Sequence, residues 1–240
     1  MTICDLHSHA LQGVDHGAET LDIALQMLQN AAASDVGYLA LTPHFDISIH
    51  SAESLTERMK MQFEILQAAA RDIPVTLALG AEVHISPVLL EQLEYLQLPT
   101  INGSRYLLTE FPMCYPENRF APALEKLLER DYIPLIAHPE RYAAVCQQPG
   151  ITGQWLDMGC HLQLTGTSIV GHHGKTVQRA AMELLQRDMV ACVASDAHGV
   201  HERSNYLMGV YDHLSVHFSK AYAQGLLCIN PMRIWRDENL

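Results

Sequence analysis

Ile133-Pro134-Leu135-Ile136-Ala137 is a short apolar run that stops on His138-Pro139-Glu140-Arg141, so a strand-length segment hands ionisable side chains to whatever lies beyond its C-terminal end. The same arrangement recurs outward from this stretch. Strand-like runs at 2–6, 38–42, 75–81, 106–109, 161–164 and 190–194 complete a set of seven with 133–137. Longer segments between them suit helices at 20–34, 53–71, 86–96, 121–130, 176–187 and 204–217. In the first of these, Leu21, Ala24, Leu25, Leu28 and Ala32 share one face, and Gly37 is expected to end it. Ser86-Pro87 reads as an N-cap followed by proline at the first helical position. Alternation of this kind predicts an α/β fold around a parallel sheet. With no fixed-period repeat, low-complexity tract or Gly/Ser linker, residues 1–240 are expected to form one barrel-like α/β domain, its seven strands one short of the eight in an ordinary βα barrel.

In such barrels chemistry sits where the strands end. Six of the seven runs end in His, Asp or Glu: Asp5-Leu6-His7-Ser8-His9, Thr42-Pro43-His44, Gly80-Ala81-Glu82, Thr109-Glu110, Ala137-His138 and Ser195-Asp196-Ala197-His198. Side chains alternate along extended backbone, so His7 and His9 point the same way, as do Asp196 and His198. A lone His-x-His is weak evidence, because single buried histidines are usually satisfied core residues. Several at equivalent strand ends are different: carboxylates gathered in one cleft repel each other, and divalent cations remove that cost. Imidazole and carboxylate donors without thiolate suit Mn, Fe or Zn.

Composition narrows the function. Against 27 Asp and Glu stand 15 Lys and Arg, a formal charge of −12, which disfavours the phosphate backbone of nucleic acid. The N-terminus has no signal-like basic and apolar stretch, and no run approaches the ~20 apolar residues of a membrane span, so a cytoplasmic protein without membrane insertion is expected. Six scattered cysteines form no CxxC pair. A cysteine-based phosphatase places Arg six residues after its nucleophile; here those positions hold Ala10, Phe120, Thr152, Gly166, His198 and Ile234. Met59 and Met61, with Phe63 nearby, suit helix packing or a homo-oligomer contact. His84 and the other histidines outside the constellation are adequately explained by solvation.

Taken together, Asp5-Leu6-His7-Ser8-His9, Thr42-Pro43-His44, Gly80-Ala81-Glu82, Glu110-Phe111-Pro112, Ile136-Ala137-His138-Pro139-Glu140-Arg141-Tyr142 and Ala194-Ser195-Asp196-Ala197-His198 resemble the polymerase and histidinol phosphatase (PHP) superfamily. More closely, the chain is similar to its bacterial manganese-dependent protein-tyrosine phosphatases of capsule and exopolysaccharide synthesis, from residue 3 through Ile229-Asn230-Pro231. The resemblance implies the PHP fold, a distorted seven-stranded βα barrel of the α/β class, and three divalent ions, Mn foremost with Fe or Zn as alternatives. One ion would be held by His7, His9, Glu82 and Asp196; a second by Glu82, Glu110 and His138; a third by His44, His198 and a ligand from the first loop.

That loop departs from the phosphatase branch, which usually has Asp-Asp-Gly where this chain has Asp15-His16-Gly17. His16 is the expected ligand there, with Asp15 as the substitute. Arg141 and Arg203 match the positions that bind substrate phosphate, and a guanidinium suits that task as a permanently charged fork of donors. The implied reaction is hydrolysis of phosphotyrosine by a metal-bridging hydroxide, the substrate being the tail of a bacterial tyrosine kinase. The alternatives are a small phosphate monoester such as histidinol phosphate, or a non-catalytic metal-stabilised binding module.

Overall fold

The computed structural model describes residues 2–201, 204, 205 and 207–240. Its strand segments, in chain order, are β1 (Ile3–Asp5), β2 (Val36–Leu41), β3 (His44–Phe45), β4 (Thr76–Leu79), β5 (Glu82–His84), β6 (Tyr106–Glu110), β7 (Ile133–Ala137), β8 (His161–Thr165) and β9 (Cys192–Ala194). All pair in parallel, in the orders β1-β2-β4 and β3-β5-β6-β7-β8-β9. These are the seven expected staves, two of them broken. Proline, which has no N–H to give a ladder, separates β2 from β3 at Thr42-Pro43, and Gly80-Ala81 separates β4 from β5.

Hydrogen bonds carry the sheet across both breaks. The Gly80 N–H reaches the Leu41 carbonyl at 2.9 Å, and the Glu82 N–H reaches the Pro43 carbonyl at 3.0 Å. A parallel bridge between Ser8 and Ala197 joins the first stave to the last. It is held by Asp196 N–H to the His7 carbonyl (2.9 Å) and His9 N–H to the Ala197 carbonyl (2.8 Å). The ring is therefore closed, and its seam runs through ligand candidates.

Alternation along the staves separates two cores. Cys4, Leu6, Ala40, Ala78, Tyr106, Leu108, Leu135, Ala137 and Cys192 fill the interior, while Ile3, Leu39, Leu107, Ile136, Leu162, Leu164 and Val193 face the surrounding helices. Ile234 and Trp235, from the helix Asn230–Trp235, belong to the interior cluster and stop the end remote from the histidines. This C-terminal segment, including the π-helical turn Gly225–Ile229, had no periodic signal to announce it.

Helix starts follow their caps. The Thr20 side chain accepts the Ile23 N–H at the head of Leu21–Ala33, and Ser86 accepts the Leu89 N–H ahead of Pro87–Gln92. The expected stop at Gly37 is corrected. The first helix is capped at Ser34, Asp35 takes the left-handed conformation (φ 60°), and Gly37 lies within β2, where a Cβ would stand 2.3 Å from Thr2 Cγ2. Glycine serves close strand approach there. The fourth helix is Glu117–Leu128, starting ahead of the expected 121 because Pro122 is accommodated inside it. Met59 packs in the core, whereas Met61 is exposed. Among the described residues no helix is long and apolar enough to cross a membrane.

Candidate metal centre

The interior register delivers the donors. Ala40, Ala78 and Leu108 face the barrel axis, and counting on by twos along the same staves reaches His44, Glu82 and Glu110. Two other donors sit on corners that break the alternation. His138 (φ 35°) and Asp196 (φ 52°) are left-handed, a conformation that non-glycine residues hold only when the surroundings enforce it.

Four donor atoms converge at the centre of the rim. His7 Nε2 lies 3.2 Å from His9 Nε2, and each of these nitrogens lies 3.3 Å from Glu82 Oε2 and 3.5 Å from Asp196 Oδ1. Ligands about 2.1 Å from one ion stand roughly 3.4 Å apart at tetrahedral angles, so this spacing fits a single cation. All four side chains are buried.

The outer partners fix which nitrogens face inward. His7 Nδ1 meets Gln163 Oε1 at 2.8 Å, and the amide is oriented because its Nε2 donates to the Leu164 carbonyl at 2.7 Å. His9 Nδ1 meets Asp15 Oδ2 at 2.6 Å. Both Nδ1 atoms therefore carry the proton of the neutral ring, and two Nε2 lone pairs are left pointing at each other. Such a contact requires a cation, either a proton or a metal, and the residues thus fit the metal the resemblance implies.

Asp15 is occupied elsewhere. Besides His9, it accepts the Gly17 N–H at 2.9 Å and the His44 N–H at 2.9 Å, so its oxygens orient ligands rather than supplying one. Gly17 is the tight point of this loop, since a Cβ would fall 2.1 Å from the His9 carbonyl oxygen.

Next to the quartet, Glu82 Oε1 lies 2.8 Å from His138 Nε2, and Glu110 Oε1 lies 3.7 Å from the same nitrogen. Glu82 thus presents one oxygen to each group. His44 Nδ1 stands 3.1 Å from Glu82 Oε2 and 3.7 Å from Glu110 Oε2, so it belongs to this neighbourhood as well. The donors of His9, His44 and His198 lie within 4.8 Å of one another. The His16 ring, exposed, has its centroid 4.9 Å from that of His44 and 4.7 Å from that of His198. All nine expected ligands are therefore gathered at one rim.

Arg141 is there too, its Nη1 donating to Asp196 Oδ2 at 3.0 Å with the side chain 23% exposed. Arg203 lies outside the described residues.

The charges are mutually adjusted. Burial pulls the His9 imidazole pKa down, but its bonds to Asp15, Asp196 and Glu82 outweigh this and raise it well above the ordinary value. His7 is likewise depressed by burial and raised on balance, chiefly by Glu82 and Asp196. Burial raises the carboxyl groups of Glu82 and Asp196, yet the neighbouring imidazoles hold both well below the usual carboxylate range. His44 goes the other way, lowered by burial.

Sequence reasoning missed two participants. Gln163, on the one stave without an ionisable end, orients His7; glutamine carries no ligand signal. His84, assigned to solvation, has its Nδ1 3.2 Å from Glu110 Oε2. The signal was present, because Glu82-Val83-His84 repeats the alternation of His7-Ser8-His9. His84 also lines a cleft of ≈ 330 Å³ with Val14, His16, Ile49, Leu55 and Glu110, opening directly on the donor rim.

The model of the capsular polysaccharide synthesis family CpsB/CapC matches residues 3–236. The chain is 30% identical to the tyrosine-protein phosphatase CpsB of Streptococcus pneumoniae, over 98% of each. It is 28% identical to the tyrosine-protein phosphatase YwqE of Bacillus subtilis, over 83% of this chain and 79% of that one. Its structure superposes on one from a crystallographic study of YwqE and CpsB, described as unique metal-dependent tyrosine phosphatases, with TM-score 0.87, 25% identity and coverage of 99% and 96%. The Escherichia coli phosphotriesterase homology protein, at TM-score 0.61 and 10% identity, shares the fold.

Proposed function

Because the chain belongs to the capsular polysaccharide synthesis CpsB/CapC family, we propose that residues 1–240 act as one domain that hydrolyses phosphotyrosine in proteins, using divalent metal ions. The observation that carries this reading is the pair of inward-facing Nε2 lone pairs on His7 and His9, ringed by Glu82 and Asp196 and opening on a cleft. His7, His9, Glu82 and Asp196 would hold one ion; Glu82, Glu110 and His138 a second; His44, His198 and His16 a third. Manganese is the expected metal. Bound ions supply Lewis acidity toward phosphoryl oxygens and make water acidic enough to serve as a nucleophile near neutral pH.

The protein's own groups do the rest. Arg141 spends one N–H on Asp196 and keeps the remaining donors of its fork for phosphate oxygens, so the anion is oriented by a group that is itself anchored. Arg203 is proposed as the second phosphate clamp. Gln163 and Asp15 hold the His7 and His9 tautomers. His7, His9, Glu82, His138 and Asp196 are buried, which keeps bulk water from screening the charges at that part of the rim. A tyrosine phenolate, with a pKa of about 10, leaves with little help from a general acid. The proposed partner is the phosphorylated tail of a bacterial tyrosine kinase, met in the cytoplasm.

The test joins metal analysis to hydrolysis of a phosphotyrosine peptide. Turnover is expected to vanish on chelation and return with Mn, and Arg141→Ala is expected to lower kcat/KM about 100-fold with metal content intact. A protein with filled sites that releases no phosphate would defeat the reading.

A further inference from the structure

The cleft beside the donors is lined by unlike side chains. Its polar ones include His44, His84 and Glu110, continuous with the metal constellation. The cleft's apolar side chains are Val14 and Leu55, both nearly buried, and Ile49 at 72% exposure, the last flanked by Asp46 and His50 of its own turn.

An exposed isoleucine alone means little. This one is held in place. Asp46 Oδ1 accepts the Ser48 N–H at 2.8 Å, the Asp46 carbonyl receives the N–H groups of Ile49 and His50 at 3.4 Å each, and Ser51 then caps the helix Ala52–Ala69. The turn thus holds the backbone that presents a large aliphatic side chain to a cleft whose lining, apart from Val14 and Leu55, is imidazoles and carboxylates. A volume of ≈ 330 Å³ sits at the small end of ligand pockets, which run roughly 300–1,000 Å³. That admits one ring and its phosphate and leaves the rest of a peptide outside.

We propose that Ile49, with Val14 and Leu55, is the aryl-recognition wall of this cleft and makes the protein prefer phosphate esters of phenols over those of alkyl alcohols. The inference rests on reading the cleft as the phosphotyrosine site and adds the residue that reads the ring. Phosphate, Arg141 and the rim donors bind either class of ester alike, so beyond the better leaving group of a phenol, discrimination at the binding step has to come from a surface that touches only the alcohol part. Ile49, Val14 and Leu55 offer apolar contact to a flat ring and little to a short polar alkyl chain.

Binding of two inert phosphonates to the Mn-loaded full chain, measured by calorimetry, separates the parts. Phenylphosphonate is expected to bind the parent protein about 10-fold more tightly than methylphosphonate. Ile49→Ala is expected to shrink that ratio about 5-fold at unchanged metal content, while Ile49→Leu preserves it. Equal affinities in the parent, or an unchanged ratio in Ile49→Ala, would overturn the assignment. Phosphotyrosine turnover measured on the same samples keeps the two readings apart. No turnover with the binding ratio intact defeats the phosphatase reading and leaves the aryl wall standing.

Discussion

The quartet His7, His9, Glu82, Asp196 and the trio His16, His44, His198 lie on the same rim but are built differently. In the quartet every side chain is buried, donor spacings are 3.2–3.5 Å, and both imidazoles are held from behind by Gln163 and Asp15. In the trio His16 is exposed and His44 is partly so, while only the His198 side chain, at 8% exposure, is nearly buried. The quartet is preorganised and charge-rich; the trio is all nitrogen and reaches solvent through His16 and His44. A site whose geometry is enforced from behind binds with little reorganisation, whereas an open one has to be assembled by its ion and substrate.

The sharpest way to break this contrast is Glu82→Gln. One oxygen of Glu82 serves the quartet and the other faces His138, so losing the charge is expected to empty both groups and lower kcat by about 1,000-fold or more. Metal stoichiometry reads it directly; retention of both ions would mean that Glu82 is not shared.

A finer cut compares Gln163→Leu with His16→Ala. Removing the His7 acceptor is expected to weaken the tightest metal site by about 10- to 100-fold, and His16→Ala to affect only the weakest ion, by a smaller factor. Stepwise metal titration monitored by calorimetry distinguishes them, and the reverse ranking would refute the idea that burial and outer support set the order.

The smallest effect is in stability against pH. His7 and His9 are raised, so in metal-free protein their ion pairs contribute fully below the ordinary imidazole value of about 6.5 and lose that contribution as pH rises through the raised values. Glu82 and Asp196 are lowered, and the same pairs fade as pH falls through their depressed values. Metal-free protein is therefore expected to melt highest between about pH 4.5 and 6.5 and several degrees lower once pH has risen through the raised histidine values. Mn-loaded protein is expected to gain over that interval, as protons cease to compete. Parallel melting curves for the two forms would contradict the linkage.

The barrel and its chemistry were legible because a parallel stave writes its apolar interior and its terminal side chain in consecutive residues, as in 133–138. The stave breaks at Thr42-Pro43 and Gly80-Ala81 were less so, since proline and glycine announce an interruption but not whether hydrogen bonds resume beyond it. Gln163 was invisible because its role depends on a partner 156 positions away. Asp15 stood open as a ligand until its three hydrogen bonds were seen. Ile49 gave no sign, because one apolar residue in a polar turn looks the same whether or not a cleft lies beside it.

Gly17 pins the first loop to the seam of the barrel. With the His9 carbonyl filling the space a β-carbon would occupy and accepting the Ala18 N–H at 2.9 Å, no side chain fits at this bend. A side chain added at position 17 would therefore push the loop that carries His16 off the staves, whereas an exchange at position 16 leaves that contact as it is.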